Sequence, residues 1–186
     1  MEEQPTATDA PLSIRKIESH VREVPDFPSP GISFKDITPL IEDGPAFHAA
    51  VDRVATATAD VDYDRVLSAE ARGFVFGTAL AYRARKGLIL ARKPGKLPRK
   101  TISASYDLEY GSNTLHVHAD SIREGTRVLV VDDLLATGGT ARAMCQLVEN
   151  AGGIVAGVAF LVELGFLDGR ERLTPYPVTS LLTYDA

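Results

Sequence analysis

The segment Val128-Leu-Val-Val-Asp-Asp-Leu-Leu-Ala-Thr-Gly-Gly-Thr140 constrains this chain more than any other. Residues 127–131 form a short continuous apolar run, the pattern of a strand buried on both faces in the middle of a sheet. Two adjacent carboxylates, Asp132 and Asp133, follow at its carboxyl end. A loop of small and hydroxyl residues, Ala136, Thr137, Gly138, Gly139 and Thr140, then opens a helix predicted over residues 139–150. Glycines let backbone N–H groups come close to an anion, and a helix N-terminus adds a favourable dipole. With hydroxyls on Thr137 and Thr140, this loop suits a phosphate. Ionised acids accept hydrogen bonds from hydroxyls, so the acid pair suits a polyhydroxylated group such as ribose. A phosphate beside a ribose makes a ribose 5-phosphate site. No Gly-Lys-Ser/Thr follows, which excludes a nucleoside-triphosphate loop, and no Gly-x-Gly-x-x-Gly is present, which excludes the dinucleotide fingerprint. The plain alternative is a tight strand-to-helix turn with a solvated acid pair.

The pattern on either side supports an open sheet. Strands are expected at residues 66–67, 87–91, 127–131, 154–162 and 178–182, with a helix over 74–85 between the first two. Alternating strands and helices over residues 60–165 predict an α/β fold with a mostly parallel central sheet. Residues 101–108 and 115–118 read as extended segments around a turn near Gly111. Towards the N-terminus, residues 1–11 look like a mobile leader. Ile14, Ile17 and Val21 at helical spacing predict a short helix running to about Glu23. A Pro/Gly-punctuated loop occupies residues 25–31, and Asp43-Gly-Pro45 marks a helix start.

Composition narrows the class. The chain has 186 residues, 45% hydrophobic and 24% charged, as expected for one globular domain. A net charge of −5 argues against a surface that grips nucleic acid throughout. One cysteine, Cys145, cannot build a multi-cysteine metal site, and it reads as a buried helix thiol. His20, His48, His116 and His118 show no metal-ligand spacing with acids, so the pair His116 and His118 on one strand face reads as structural. The longest apolar run, residues 151–162, is too short to span a bilayer. A cytoplasmic protein is expected. Between Arg83 and Lys100 stand eight cations and no acid. No aromatic residue interleaves these cations, so the stacking platforms of a nucleic-acid groove are missing. Arg92, Lys93 and Lys96, on a loop shaped by Pro94, Gly95 and Pro98, suit a diphosphate.

Five segments together resemble one family. These are the acid-pair segment, residues 27–40 (FPSPGISFKDITPL), residues 70–74 (EARGF), residues 92–98 (RKPGKLP) and residues 105–111 (SYDLEYG). In this order they are similar to the adenine phosphoribosyltransferases, within the type I phosphoribosyltransferases. The resemblance covers about residues 12–184. It implies a type I phosphoribosyltransferase fold with a parallel sheet flanked by helices. Residues 12–40 would form a small hood for the base within a single domain, residues 12–186. Ser68-Ala69 depart from the pattern, which has a glycine and a larger apolar residue there.

The resemblance also implies roles. Adenine and 5-phosphoribosyl 1-diphosphate would give AMP and diphosphate. Asp132, Asp133 and residues 136–140 would hold the ribose 5-phosphate. Arg72, Arg92, Lys93 and Lys96 would face the diphosphate, with a strained peptide bond expected between Glu70 and Arg72. Phe34 would wall the purine ring, the main chain of Ser33 and Lys35 would read its edge, and Leu164 would lie across the ring. Glu109, beside Tyr110, would belong to a lid and handle the proton on adenine, with Asp133 the alternative. Mg²⁺ would be held mainly by substrate oxygens rather than by a protein cage, and a homodimer is implied. Two other classes stay open: a phosphoribosyltransferase for another purine base, and a non-enzymatic regulator that senses the same metabolites.

Overall fold

The computed structural model describes residues 12–107 and 112–185. The leader, Glu109 and Tyr110 lie outside the described residues. The chain divides into two compact units, Met1–Ala50 and Val51–Ala186.

In the smaller unit, helix α1 (Ile14–Glu18) is followed by a two-stranded antiparallel ribbon, β1 (Arg22–Val24) and β2 (Phe34–Asp36), and by helix α2 (Thr38–Glu42). The helix predicted to run to Glu23 therefore ends five residues early. Ser19 donates its Oγ to the Lys16 carbonyl at 2.8 Å, and His20 Nδ1 lies 2.8 Å from the same oxygen. These side chains take up the last-turn carbonyl and stop the helix. The chain beyond then pairs with β2 in the register Glu23↔Lys35, so strand pairing outweighs the helical spacing of Val21. Helix α2 lies outside the predicted elements, and its start is encoded locally: Pro39 stands in the first turn and the Thr38 N–H donates to Asp36 Oδ1 at 2.9 Å. Helix α3 (Gly44–Ala57) carries the chain into the larger unit.

The larger unit is built on five parallel strands in the order β4 (Gly87–Ala91), β3 (Arg65–Ala69), β7 (Arg127–Leu135), β8 (Ile154–Leu164), β9 (Val178–Tyr184). Helices α4 (Gly73–Arg83) and α5 (Gly139–Asn150) make the β3–β4 and β7–β8 crossovers. Strands β5 (Thr101–Asp107) and β6 (Ser112–His118) form a separate antiparallel pair. The core is continuous across the central strands and α5, with Leu67, Val128, Val130, Met144, Leu147 and Phe160 all at most 1% exposed. Cys145 lies in it, and burial pushes its thiol up to about 12. Strand β7 is longer than its apolar run, because β8 keeps pairing with it as far as Leu135↔Glu163. Asp132 and Asp133 thus lie inside the strand rather than just beyond it.

Candidate active site

The parallel pairing of β3 with β7 puts the loops that follow them side by side. Between these loops opens a cleft of about 460 Å³, lined among others by Glu70, Arg72, Lys93, Asp132, Asp133 and residues 136–140. It lies at the carboxyl ends of the central strands, where open α/β sheets bind ligands.

The acid pair is asymmetric. Arg72 Nε stands 2.9 Å from Asp133 Oδ2, an ion pair without hydrogen-bond alignment, so this buried oxygen accepts no hydrogen bond. Among the described residues, no cation stands as close to Asp132. Burial first, and the neighbouring Asp133 charge second, push its carboxyl well above the usual aspartate range. The Asp133 N–H donates to Asp132 Oδ1 at 3.0 Å. On its other side Asp132 meets the start of α4 so closely that a Cβ on Gly73 would lie 2.2 Å from Oδ1. Only glycine lets the helix begin there.

The small-residue loop turns into α5 through Gly138, which caps the helix with φ at +81°. That left-handed geometry favours glycine. The first turn of α5 has its free N–H groups at the end that lines the cleft.

Glu70 escaped the sequence reading, yet it organises the cationic side. Its carboxylate accepts from Arg92 Nε at 2.8 Å and from the Lys93 N–H at 2.6 Å. Burial opposes ionisation, but these two donors hold the carboxyl below the usual glutamate range. The only local signal was an acid directly before Ala71-Arg72-Gly73. The Glu70–Ala71 peptide bond is cis. Of the three loop cations, Lys93 lines the cleft. Arg92, whose Nη1 reaches the Lys96 carbonyl at 3.3 Å, and Lys96 are not among its lining residues.

Residues 40–179 match the family described as "Phosphoribosyl transferase domain". An adenine phosphoribosyltransferase from Rubrobacter xylanophilus is 70% identical over 173 residues, covering 92% of this chain and 94% of the relative. The crystal structure of adenine phosphoribosyltransferase from Thermoanaerobacter pseudethanolicus superposes with a TM-score of 0.90 at 49% identity, over 92% of this chain and all of that one. The Saccharomyces cerevisiae enzyme, solved with adenine and an imino-altritol bisphosphate, gives 0.85 at 36% identity, over 91% of this chain and 98% of that one. The chain belongs to the adenine phosphoribosyltransferases.

Its departure from the adenine phosphoribosyltransferase pattern at Ser68 has a packing partner. Ser68 is fully buried and donates its Oγ to the Val131 carbonyl at 2.7 Å, across β3 and β7. The space for its side chain comes from Gly77 on α4, where a Cβ would lie 2.5 Å from Ser68 Cβ.

In the smaller unit, the residues expected at the base are organised by Glu23, which the sequence reading also missed. Ser33 donates its Oγ to Glu23 Oε1 at 2.6 Å, and Lys35 Nζ pairs with Glu23 Oε2 at 3.2 Å. The Ser33 hydroxyl, then Lys35, hold the Glu23 carboxyl below its usual range. Phe34 packs edge-to-face on Phe27 with ring centroids 5.0 Å apart. Leu164, in the larger unit, ends β8 and is 9% exposed.

Among the described residues, no three His, Cys, Asp or Glu side chains are grouped to hold a metal ion. Among the described residues, the cleft carboxylates are Glu70, Asp132 and Asp133, and Glu70 is already committed to Arg92 and Lys93. The buried Asp133 Oδ2 is a hard oxygen donor with no hydrogen bond. An incomplete oxygen set of this kind fits Mg²⁺, which keeps water and substrate oxygens in its shell. No helix among the described residues is long and apolar enough to cross a membrane.

Proposed function

We propose that this chain transfers the phosphoribosyl group of 5-phosphoribosyl 1-diphosphate to N9 of adenine, releasing diphosphate and AMP, a step of purine salvage. The observation that carries the residue assignment is the single cleft that joins the phosphate loop, the acid pair and the cations Arg72 and Lys93. Residues 136–140 hold the 5′-phosphate through loop and first-turn N–H groups and the hydroxyls of Thr137 and Thr140. Asp132 and Asp133 accept from the ribose hydroxyls. As diphosphate leaves, C1′ gains oxocarbenium character, and adenine attacks from the opposite face with inversion. The Asp133 side chain gains interaction energy as that positive charge develops. Arg72 and Lys93 meet the departing diphosphate directly, while Glu70 orders the loop that carries Arg92, Lys93 and Lys96. Mg²⁺, when bound, would neutralise charge on the diphosphate; it would be held mainly by substrate oxygens and water, and Asp132 and Asp133 would be the cleft carboxylates able to add protein oxygens. The main chain of Ser33 and Lys35 reads the base edge, and Phe34 walls the ring. Glu109 is the group assigned to the proton on adenine. Family membership also supports a homodimer working in the cytoplasm.

A base-competition assay with labelled donor tests the reading. Adenine should give AMP, with hypoxanthine and guanine at least about a hundredfold worse by kcat/KM, because a 6-oxo purine reverses the donor and acceptor pattern and leaves buried polar partners unpaired. Comparable turnover of hypoxanthine would overturn the adenine assignment.

A further inference from the structure

The phosphate loop is supported from behind by a second loop, residues 165–173, which the sequence reading left without a role. The contact is backbone on backbone. A Cβ on Gly169 would lie 2.0 Å from the Ala136 carbonyl oxygen and 3.0 Å from the Gly138 nitrogen. Reciprocally, a Cβ on Gly138 would lie 2.5 Å from the Gly169 carbonyl oxygen. Two glycines therefore face each other, and neither position accepts a side chain without moving the other loop. The Ala136 carbonyl carbon lies 3.0 Å from that same Gly169 Cβ position, a full ångström farther than its oxygen. The Ala136 C=O thus points at Gly169. In a trans peptide the next N–H points the opposite way, so this contact turns the Thr137 N–H away from Gly169. Thr137 itself lines the cleft.

Gly169 is in turn fixed by its neighbour. Arg170 forks onto Glu163, with Nε donating to Oε1 at 2.9 Å and Nη2 to Oε2 at 2.5 Å, and its Nη1 donates to the Val178 carbonyl at 2.9 Å. Glu163 is buried near the end of β8, in register with Leu135, the residue just before the phosphate loop. Val178 begins β9. One guanidinium thus ties the supporting loop to two strands, in the planar bidentate geometry that gives such pairs their directional strength. Leu173, fully buried, anchors the loop's far end.

We infer that Gly169 and the Glu163–Arg170 clamp are positioning residues for the phosphoribosyl 5′-phosphate: they set the orientation of the 136–138 backbone without touching substrate. The inference rests on the assignment of residues 136–140 to the 5′-phosphate. It predicts a selective defect. Ligands that carry a 5′-phosphate should suffer, and inorganic diphosphate, held by Arg72 and Lys93, should not.

The test uses the full-length protein and three probes, AMP, ribose 5-phosphate and diphosphate, with binding read by calorimetry. Gly169→Ala should weaken AMP and ribose 5-phosphate by about tenfold or more and leave diphosphate within about threefold; in turnover it should raise KM for the donor more than it lowers kcat. Arg170→Leu should act in the same direction, and Arg170→Lys, which keeps the charge but loses the fork, should recover part of the loss. Arg170→Lys also serves as the readable variant where Gly169→Ala does not fold. Equal losses for all three ligands would make the clamp a general scaffold and overturn the inference, as would unchanged AMP binding in Gly169→Ala. Wild-type protein that binds diphosphate but neither AMP nor ribose 5-phosphate would instead overturn the site assignment beneath it.

Discussion

Arg72 and Asp133 meet across the cleft at 2.9 Å, which links the residue assigned to the leaving group with the carboxylate assigned to the ribose. The loop after β3 and strand β7 therefore do not contribute independent parts. Removing the guanidinium leaves Asp133, whose side chain is 8% exposed, without its close cation, and an unpaired buried charge disturbs whatever it touches. Arg72→Ala should therefore weaken AMP as well as diphosphate. Lys93→Ala removes a cleft cation that acts on Glu70 rather than on Asp133, and it should weaken diphosphate and the phosphoribosyl donor by about tenfold or more, with AMP little changed. Calorimetric titration of both ligands into both variants separates the cases. Undisturbed AMP binding in Arg72→Ala would dissolve the link between the two residues.

The acid pair predicts opposite outcomes for two matched substitutions. Asp132 has a raised carboxyl pKa in the folded protein, so the folded state holds the proton more tightly than the unfolded chain. Such a group destabilises the fold progressively as pH rises from the ordinary aspartate value, about 3.9, through the raised one, and the penalty is fully present above it. Asp132→Asn should thus raise Tm at neutral pH and lose that advantage below about pH 3.9, while impairing turnover. Asp133→Asn should lower kcat more than it raises KM for the donor, because a neutral amide gains little as C1′ becomes positive. Thermal melts across pH and steady-state kinetics check the two halves. A Tm for Asp132→Asn below wild type at pH 7, or an Asp133→Asn defect confined to KM, would refute the corresponding half.

The phosphate loop was legible because its parts are contiguous: apolar run, acid pair, small residues and helix all fall within residues 128–140. Helix α5 over Gly139–Asn150 and strand β4 over Gly87–Ala91 were read to the residue, since each is bounded by its own glycine or turn signals. What could not be read is carried by pairs distant in sequence. Nothing local to Glu70 announces Arg92, and nothing near Glu23 announces Ser33 and Lys35. Helix α1 ends at a local stop made by Ser19 and His20, and the residues beyond it pair with β2, which spacing does not encode. Glu163 fell just beyond the apolar run ending at Val162, and so its clamp on Arg170 stayed hidden.

Ser68 and Gly77 illustrate a departure that is invisible without its partner. A Cβ on Gly77 would lie 2.5 Å from Ser68 Cβ and 2.6 Å from its Oγ. Gly77→Ala should therefore destabilise the fold by about 1–3 kcal/mol, the usual range for overpacking a core. Ser68→Gly removes the obstructing side chain, although it gives up the hydrogen bond to Val131, worth about 1 kcal/mol. The double variant should be more stable than the sum of the single losses, with a coupling of roughly 1 kcal/mol or more. Denaturant unfolding of the four proteins measures it, and strict additivity would show that the two positions do not compete for space.

The Glu163–Arg170 pair also makes a prediction about acid stability that is separate from ligand binding. The hydrogen bond from Arg170 holds the Glu163 carboxyl below its usual range, against the opposing effect of burial. Here the folded state binds the proton less tightly than the unfolded chain. The pair therefore contributes stability above the unfolded glutamate value, about 4.3, and that contribution is lost as pH falls through the lowered folded value. Glu163→Gln keeps the shape of the side chain and removes the titration. Its Tm should lie below that of wild type at neutral pH, and the gap should narrow steadily as the pH drops below about 4.3. High salt should shrink the gap little, since the Glu163 side chain is only 7% exposed and poorly screened. Melts at matched ionic strength between neutral and strongly acidic pH follow the difference. A gap that stays constant into strong acid would mean that the substitution acts through packing alone and that the charge on Glu163 does not hold Arg170 in place.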